Sequence, residues 1–122
     1  MNNNEIRFEL GNKAENLYFS IFDITTNRKH YPVKFRRLAD HLQERALSIH
    51  ASILDANALK SDLPQEKAAK LRHQTDVISS CNKLLSLIRY SLHAQLISSS
   101  TCEKWTGLVH DVKYMTLAWR KQ

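Results

Sequence analysis

Glycine and proline number only two each in 122 residues, so little of this chain can be turn or loop. Gly11 and Gly107 are too few to build a Gly-rich phosphate loop. Two cysteines, Cys81 and Cys102, cannot staple a disulfide scaffold and lack the CxxC spacing of a zinc site. Their surroundings read as helix interior, which suits free thiols in a reducing compartment. No apolar run approaches the roughly 18 residues of a membrane span, and the polar opening MNNNEIRFEL has no secretory core. These absences point to a cytoplasmic protein that does not engage a membrane. His30, His41, His50, His73, His93 and His110 never fall in HxxxH, HExxH or ExxH spacing, and no serine sits in GxSxG. No metal, no cofactor and no catalysis are expected.

What is present favours helix. Apolar residues make up 43% and charged residues 25%, ordinary values for a globular domain, and the length suffices for one core. Helix formers run long distances without breakers. A first helix is expected from about Lys13 to Thr26, with Asn12 as cap and Glu15 completing a capping box. Its apolar positions are Leu17, Tyr18, Ile21, Phe22 and Ile24. The stretch ENLYFS at 15–20 approaches a protease recognition sequence, but it lacks the required glutamine and continues this pattern, so it reads as native.

Pro32 starts a second helix, from about Val33 to Leu59, whose stripe is Phe35, Leu38, Leu42, Ala46, Ile49, Ile53 and Ala56. A turn at residues 60–64 offers Asp62 as the cap of a third helix, from about Gln65 to Ala94. There Leu71, Ile78, Leu85 and Leu92 repeat every seven residues. Ser100 and Glu103 propose a capping box for a fourth, from about Thr101 to Arg120, carrying Trp105, Val112 and Trp119. Gly107 inside it costs about 1 kcal/mol relative to alanine, and close packing against a neighbour would compensate. Short connections make neighbouring helices antiparallel. The expected fold is all-α, an up-down-up-down four-helix bundle over 13–122, preceded by a flexible segment 1–12.

The formal charge is +6, which favours acidic partners, nucleic acid foremost. Arg28, Lys29, Lys34, Arg36 and Arg37 fall within ten residues that contain no acid. In the expected bundle Arg89 and His93, late in the third helix, and Lys104, early in the fourth, approach the same end, with Glu103 the one evident acid. At the other end Asp55, Asp62 and Glu66 are expected to offset Lys60, Lys67, Arg120 and Lys121. The seven candidate residues, Arg28, Lys29, Lys34, Arg36, Arg37, Arg89 and Lys104, would each contact phosphate and none would read a base. Tyrosines 18, 31, 90 and 114 and leucines 47, 54, 59, 87 and 117 lie off the main stripes. Apolar residues on a second face suggest a homo-oligomer.

Residues 31–59, YPVKFRRLADHLQERALSIHASILDANAL, resemble the second helix of the Avd-like four-helix-bundle family, with its aromatic-Pro entry, basic opening turn and Ala-Asn before the turn. KLLSLIRYSLHAQLIS at 83–98 is similar to that family's leucine- and arginine-rich segment, and WTGLVHDVKYMTLAWRKQ to its terminal helix. The resemblance covers about residues 14–122. Leu117-Ala118 depart from it, standing where the family usually has glycine before the last tryptophan. What the resemblance implies is a basic pentamer that binds RNA and DNA beside the reverse transcriptase of a diversity-generating retroelement. It also implies kinship with bundle proteins encoded in ribosomal-RNA intervening sequences. Two other roles fit the same residues: an oligomeric protein-interaction scaffold, and a DNA-binding plasmid-mobilisation accessory, which would need sequence preference.

Overall fold

The structure, a computed structural model, describes residues 3–59 and 62–122, the first two by backbone alone. Four helices, α1 (Asn3–Thr25), α2 (Arg36–Asn57), α3 (Pro64–His93) and α4 (Ser99–Arg120), carry the fold, and a single 3₁₀ turn (Val33–Phe35) leads into α2. Each helix packs on two neighbours, α1 on α2 and α4, α3 on α2 and α4, and among the described residues the backbones of the diagonal pairs do not approach one another closely. This is the all-α, up-down-up-down bundle that the periodicity predicts.

α1 begins ten residues earlier than expected. Ile6 and Leu10 are buried on the same face as Ala14, Leu17 and Ile21, because steps of four and three keep side chains on one side of a helix. Residues 3–12 are therefore helix, not a flexible lead, and Asn12 and Glu15 lie within α1 instead of capping it. Arg7 ties this first half to the end of α2, its Nε donating to Asn57 Oδ1 at 2.9 Å. At the other end the hydroxyls of Thr25 and Thr26 donate to the carbonyls of Ile21 and Phe22, each at 2.7 Å. They add side-chain donors to carbonyls of the last turn, that of Phe22 also accepting from the Thr26 amide at 3.0 Å.

The stripe of α2 is buried from Ala39 through Leu42, Ala46, Ile49 and Ile53 to Ala56. In α3 the buried set is Gln74, Val77, Ser80, Cys81, Leu84, Ile88 and Ser91. The seven-residue repeat Leu71, Ile78, Leu85, Leu92 runs along its flank, and Leu71 is 46% exposed. Trp105, Val109, Val112, Thr116 and Trp119 face inward from α4, and the Trp105 indole donates to Ser20 Oγ of α1 at 2.9 Å.

The helix ends depart from the sequence expectation. α3 starts after Leu63 with Pro64 in its first turn and no side-chain cap, so Asp62 does not cap it. Lys60 and Ser61 of the expected turn lie outside the described residues. α4 is capped by Ser98, whose hydroxyl accepts from the Thr101 amide, and the expected Ser100–Glu103 box lies inside the helix. α3 ends on Gln95 at φ 60°, with the Leu96 amide reaching back to the Ser91 carbonyl at 2.9 Å. This is a Schellman closure with glutamine where glycine is usual. Buried Leu96 and Ile97 hold it in place. Gly107 is not a close-packing site, because a Cβ added there would meet nothing within 4 Å.

Candidate nucleic-acid interface

The basic turn between α1 and α2 is built from two anchors. The Asn27 side chain accepts from the Lys29 amide at 2.9 Å, and the Tyr31 amide bonds the Asn27 carbonyl at 2.9 Å. Tyr31 is buried, and the chain between the anchors is turned outward, so Arg28, Lys29 and His30 are all exposed. Burial pushes the Tyr31 hydroxyl pKa up, with the Ser91 side chain pulling the other way. Pro32, with φ of −60°, starts the 3₁₀ turn, which delivers Arg36 to the first position of α2.

A groove of about 260 Å³ opens at this corner, and Arg28 and Arg36 both line it, with Thr25, Tyr31, Asp40 and Gln43. The Gln43 amide donates to Thr25 Oγ1 at 2.9 Å, stitching the two walls. Arg36 Nε lies 3.8 Å from Asp40 Oδ1, and both side chains are well exposed, so this pair is weak and leaves the guanidinium able to engage a ligand. Lys34 stands beside the groove in the 3₁₀ turn with its amine 5.2 Å from the Phe35 ring centroid. A guanidinium pair in an open groove can grip a phosphate by paired hydrogen bonds.

The seven expected cations do not form one patch. Arg28 and Arg36 share the groove, and Lys29 and Lys34 lie on the same connection without lining it. Arg37 is a residue further along α2, which turns it about 100° from Arg36, and it is exposed outside the groove. Arg89 lines a shallow depression with Ser86, Tyr90 and His93 on α3, the helix diagonal to α1. Lys104 lies between α4 and α1, in a depression shared with Asp23. The expectation that Glu103 is the one acid at this end is corrected, since Asp40 and Asp23 also belong to it.

Two features were only partly legible in the sequence, which marks Leu47 and Leu54 as off the main stripe but not the phenylalanines of α1 beside them. Phe8, 75% exposed, and Phe19, Phe22, Leu47 and Leu54 lie along the outside of α1 and α2. Reading residues 1–12 as flexible hid the first of these. At the opposite end Lys67, Lys70 and Arg120 gather around Trp119, where a cancellation of charges was expected. The antiparallel meeting of α3's start with α4's end was the signal available for it. Among the described residues no group of three or more His, Cys, Asp or Glu is placed to hold a metal ion, and no helix is long and apolar enough to cross a membrane.

No family model matches this chain, and no curated protein matches it. A solved structure does, at a TM-score of 0.80 and 12% identity, covering 96% of this chain and 99% of that one. It is described as a protein of unknown function from the S23 ribosomal protein family of Bacteroides thetaiotaomicron VPI-5482. At that identity the likeness is one of fold, a helical bundle common to both chains along nearly their whole lengths.

Proposed function

We propose that this protein is a non-catalytic accessory that binds nucleic acid, RNA or DNA, through the phosphates of its backbone. The observation that carries this reading is the pairing of Arg28 and Arg36 in one open groove, with Lys29 and Lys34 on the same connection between α1 and α2. Such a surface neutralises phosphates and releases counterions, so its affinity depends on salt and little on sequence. Arg37, Arg89 and Lys104, on other sides of the same end, extend contacts to a strand that wraps it. The resemblance to the Avd-like bundles alone supplies the rest of the proposal: a homopentamer working beside the reverse transcriptase of a mobile element.

The test is binding of labelled single-stranded RNA and duplex DNA at low and physiological salt. Arg28→Glu with Arg36→Glu is expected to weaken both ligands alike and to lower the salt slope by about 2, with helical content unchanged. Binding that ignores the double variant overturns the reading, and loss confined to one sequence favours a mobilisation accessory. The apolar band from Phe8 to Leu54 supports a second reading, an oligomeric protein-interaction scaffold, for which neither nucleic acid binds at micromolar concentration.

A further inference from the structure

We propose that Tyr90, on the outer face of α3, is a stacking platform for an unpaired base, so that the protein prefers a single strand to a duplex. The proposal rests on the nucleic-acid reading and adds what the arginine groove leaves open, the state of the strand. Ser86, Arg89, Tyr90 and His93 line one shallow depression of about 430 Å³. Steps of three and four keep them on one side of the helix, away from the buried Leu84, Ile88 and Ser91. Tyr90 is 61% exposed, and among the described residues its ring meets no other ring and its hydroxyl makes no hydrogen bond. The other three tyrosines are already engaged. Tyr31 is buried, Tyr18 lies against Phe19 and Phe22 with ring centroids 6.0 and 5.9 Å away, and Tyr114 is stacked on His110 at 5.9 Å.

The charge around the ring has one sign. From Val77 to Cys102 the chain contains no acidic residue, and no acid lines the depression. Arg89, and Lys83 two turns before Tyr90 on the same face, take part in no ion pair among the described residues. An exposed ring bordered by such cations matches a single strand, whose bases offer π faces while its phosphates pass alongside. In a duplex those faces are covered by neighbouring base pairs, and only the phosphates are within reach. The carboxylates of an acidic peptide would meet the cations but give the ring nothing flat to stack on. The same turn of α3 presents Ser91 to the Tyr31 hydroxyl, and Tyr31 lines the arginine groove. Ring and groove therefore stand at one end of the molecule, where one strand can meet both.

The test compares binding of an oligothymidylate, an abasic strand of equal length and a duplex to the full chain at low salt. The wild type is expected to hold the oligothymidylate about tenfold more tightly than the abasic strand, which carries the same phosphates. Tyr90→Ala is expected to erase that difference, with helical content unchanged and duplex binding within about twofold. Tyr90→Phe keeps the ring and is expected to keep the preference, whereas Tyr90→Leu keeps only apolar area and is expected to lose it. A preference for bases that survives in Tyr90→Ala, or that the wild type lacks, overturns the platform and leaves the groove reading standing. Equal weakening of all three ligands in Tyr90→Ala overturns it as well. So does a change in that variant's mass in solution, for then the ring is a subunit contact. If none of the three ligands binds the wild type, the nucleic-acid reading itself fails and the platform with it.

Discussion

α2 and α3 carry equally regular apolar repeats, yet one repeat is core and the other is not. The α2 positions advance by alternating threes and fours, and Leu42, Ala46, Ile49, Ile53 and Ala56 are completely buried. The α3 leucines advance by strict sevens, and the helix buries a different set. A straight helix drifts by about 20° for each heptad, so over three heptads a strict repeat rotates away from a fixed neighbour. The stripe that α3 does bury, Gln74, Val77, Cys81, Leu84, Ile88 and Ser91, steps by threes and fours as α2 does, with Ser80 buried beside Cys81. Mixed steps follow a straight core, and strict sevens follow a flank.

That contrast is most sharply broken by truncation. Ile49→Ala and Leu84→Ala, on the buried stripes, are each expected to lose about 2–5 kcal/mol in urea unfolding. Equal tolerance at both would mean that the bundle repacks around different faces. The α3 stripe can also be read through Cys81, whose thiol burial pushes up to about 12 against a slight pull from Lys113. At pH 8 that leaves a thiolate fraction of about 10⁻⁴, so half-buried Cys102 is alkylated first and Cys81 only on unfolding. Because the folded thiol is the weaker acid, its contribution to stability is intact below pH 9. It is lost as pH climbs from 9 through 12.

Smaller effects separate sequence signals from the geometry that uses them. Ser98→Ala is expected to cost about 0.5–2 kcal/mol through the lost α4 cap, while Asp62→Ala and Ser100→Ala leave the melting temperature nearly unchanged. Gly107→Ala is expected to add about 1 kcal/mol, since the helix gains propensity and the added methyl meets open space. A loss there would mean that a partner covers this face of α4. Smallest is Leu71→Ser, within about 0.5 kcal/mol. A larger change, dependent on protein concentration, would place the leucine flank in a subunit contact.

Much of this architecture is legible locally. The second helix, its stripe, the inward tryptophans and the break before α4 follow from periodicity and from a scarcity of glycine and proline. Helix starts were harder, because Asn12, Asp62 and Ser100 each match a capping pattern that is also common inside or before helices. Ser98 became the cap because its backbone is extended and its hydroxyl reaches the Thr101 amide. The basic connection was legible as a cluster, but its division was not. Arg36 and Arg37 are adjacent in the chain and lie on different sides of α2.

By itself the sequence determines the four helices, their amphipathicity and the antiparallel order, since 3.6-residue periodicity and short connections are local properties. Tertiary structure alone decides how far each helix is rotated about its own axis. That angle is set by packing against two neighbours at once, so no single segment contains it. It selects Leu84 over Leu85 for the core and pairs Arg28 with Arg36 while sending Arg89 to another side. It also brings Lys67 and Lys70 of α3 against Trp119 of α4, some fifty residues further along the chain.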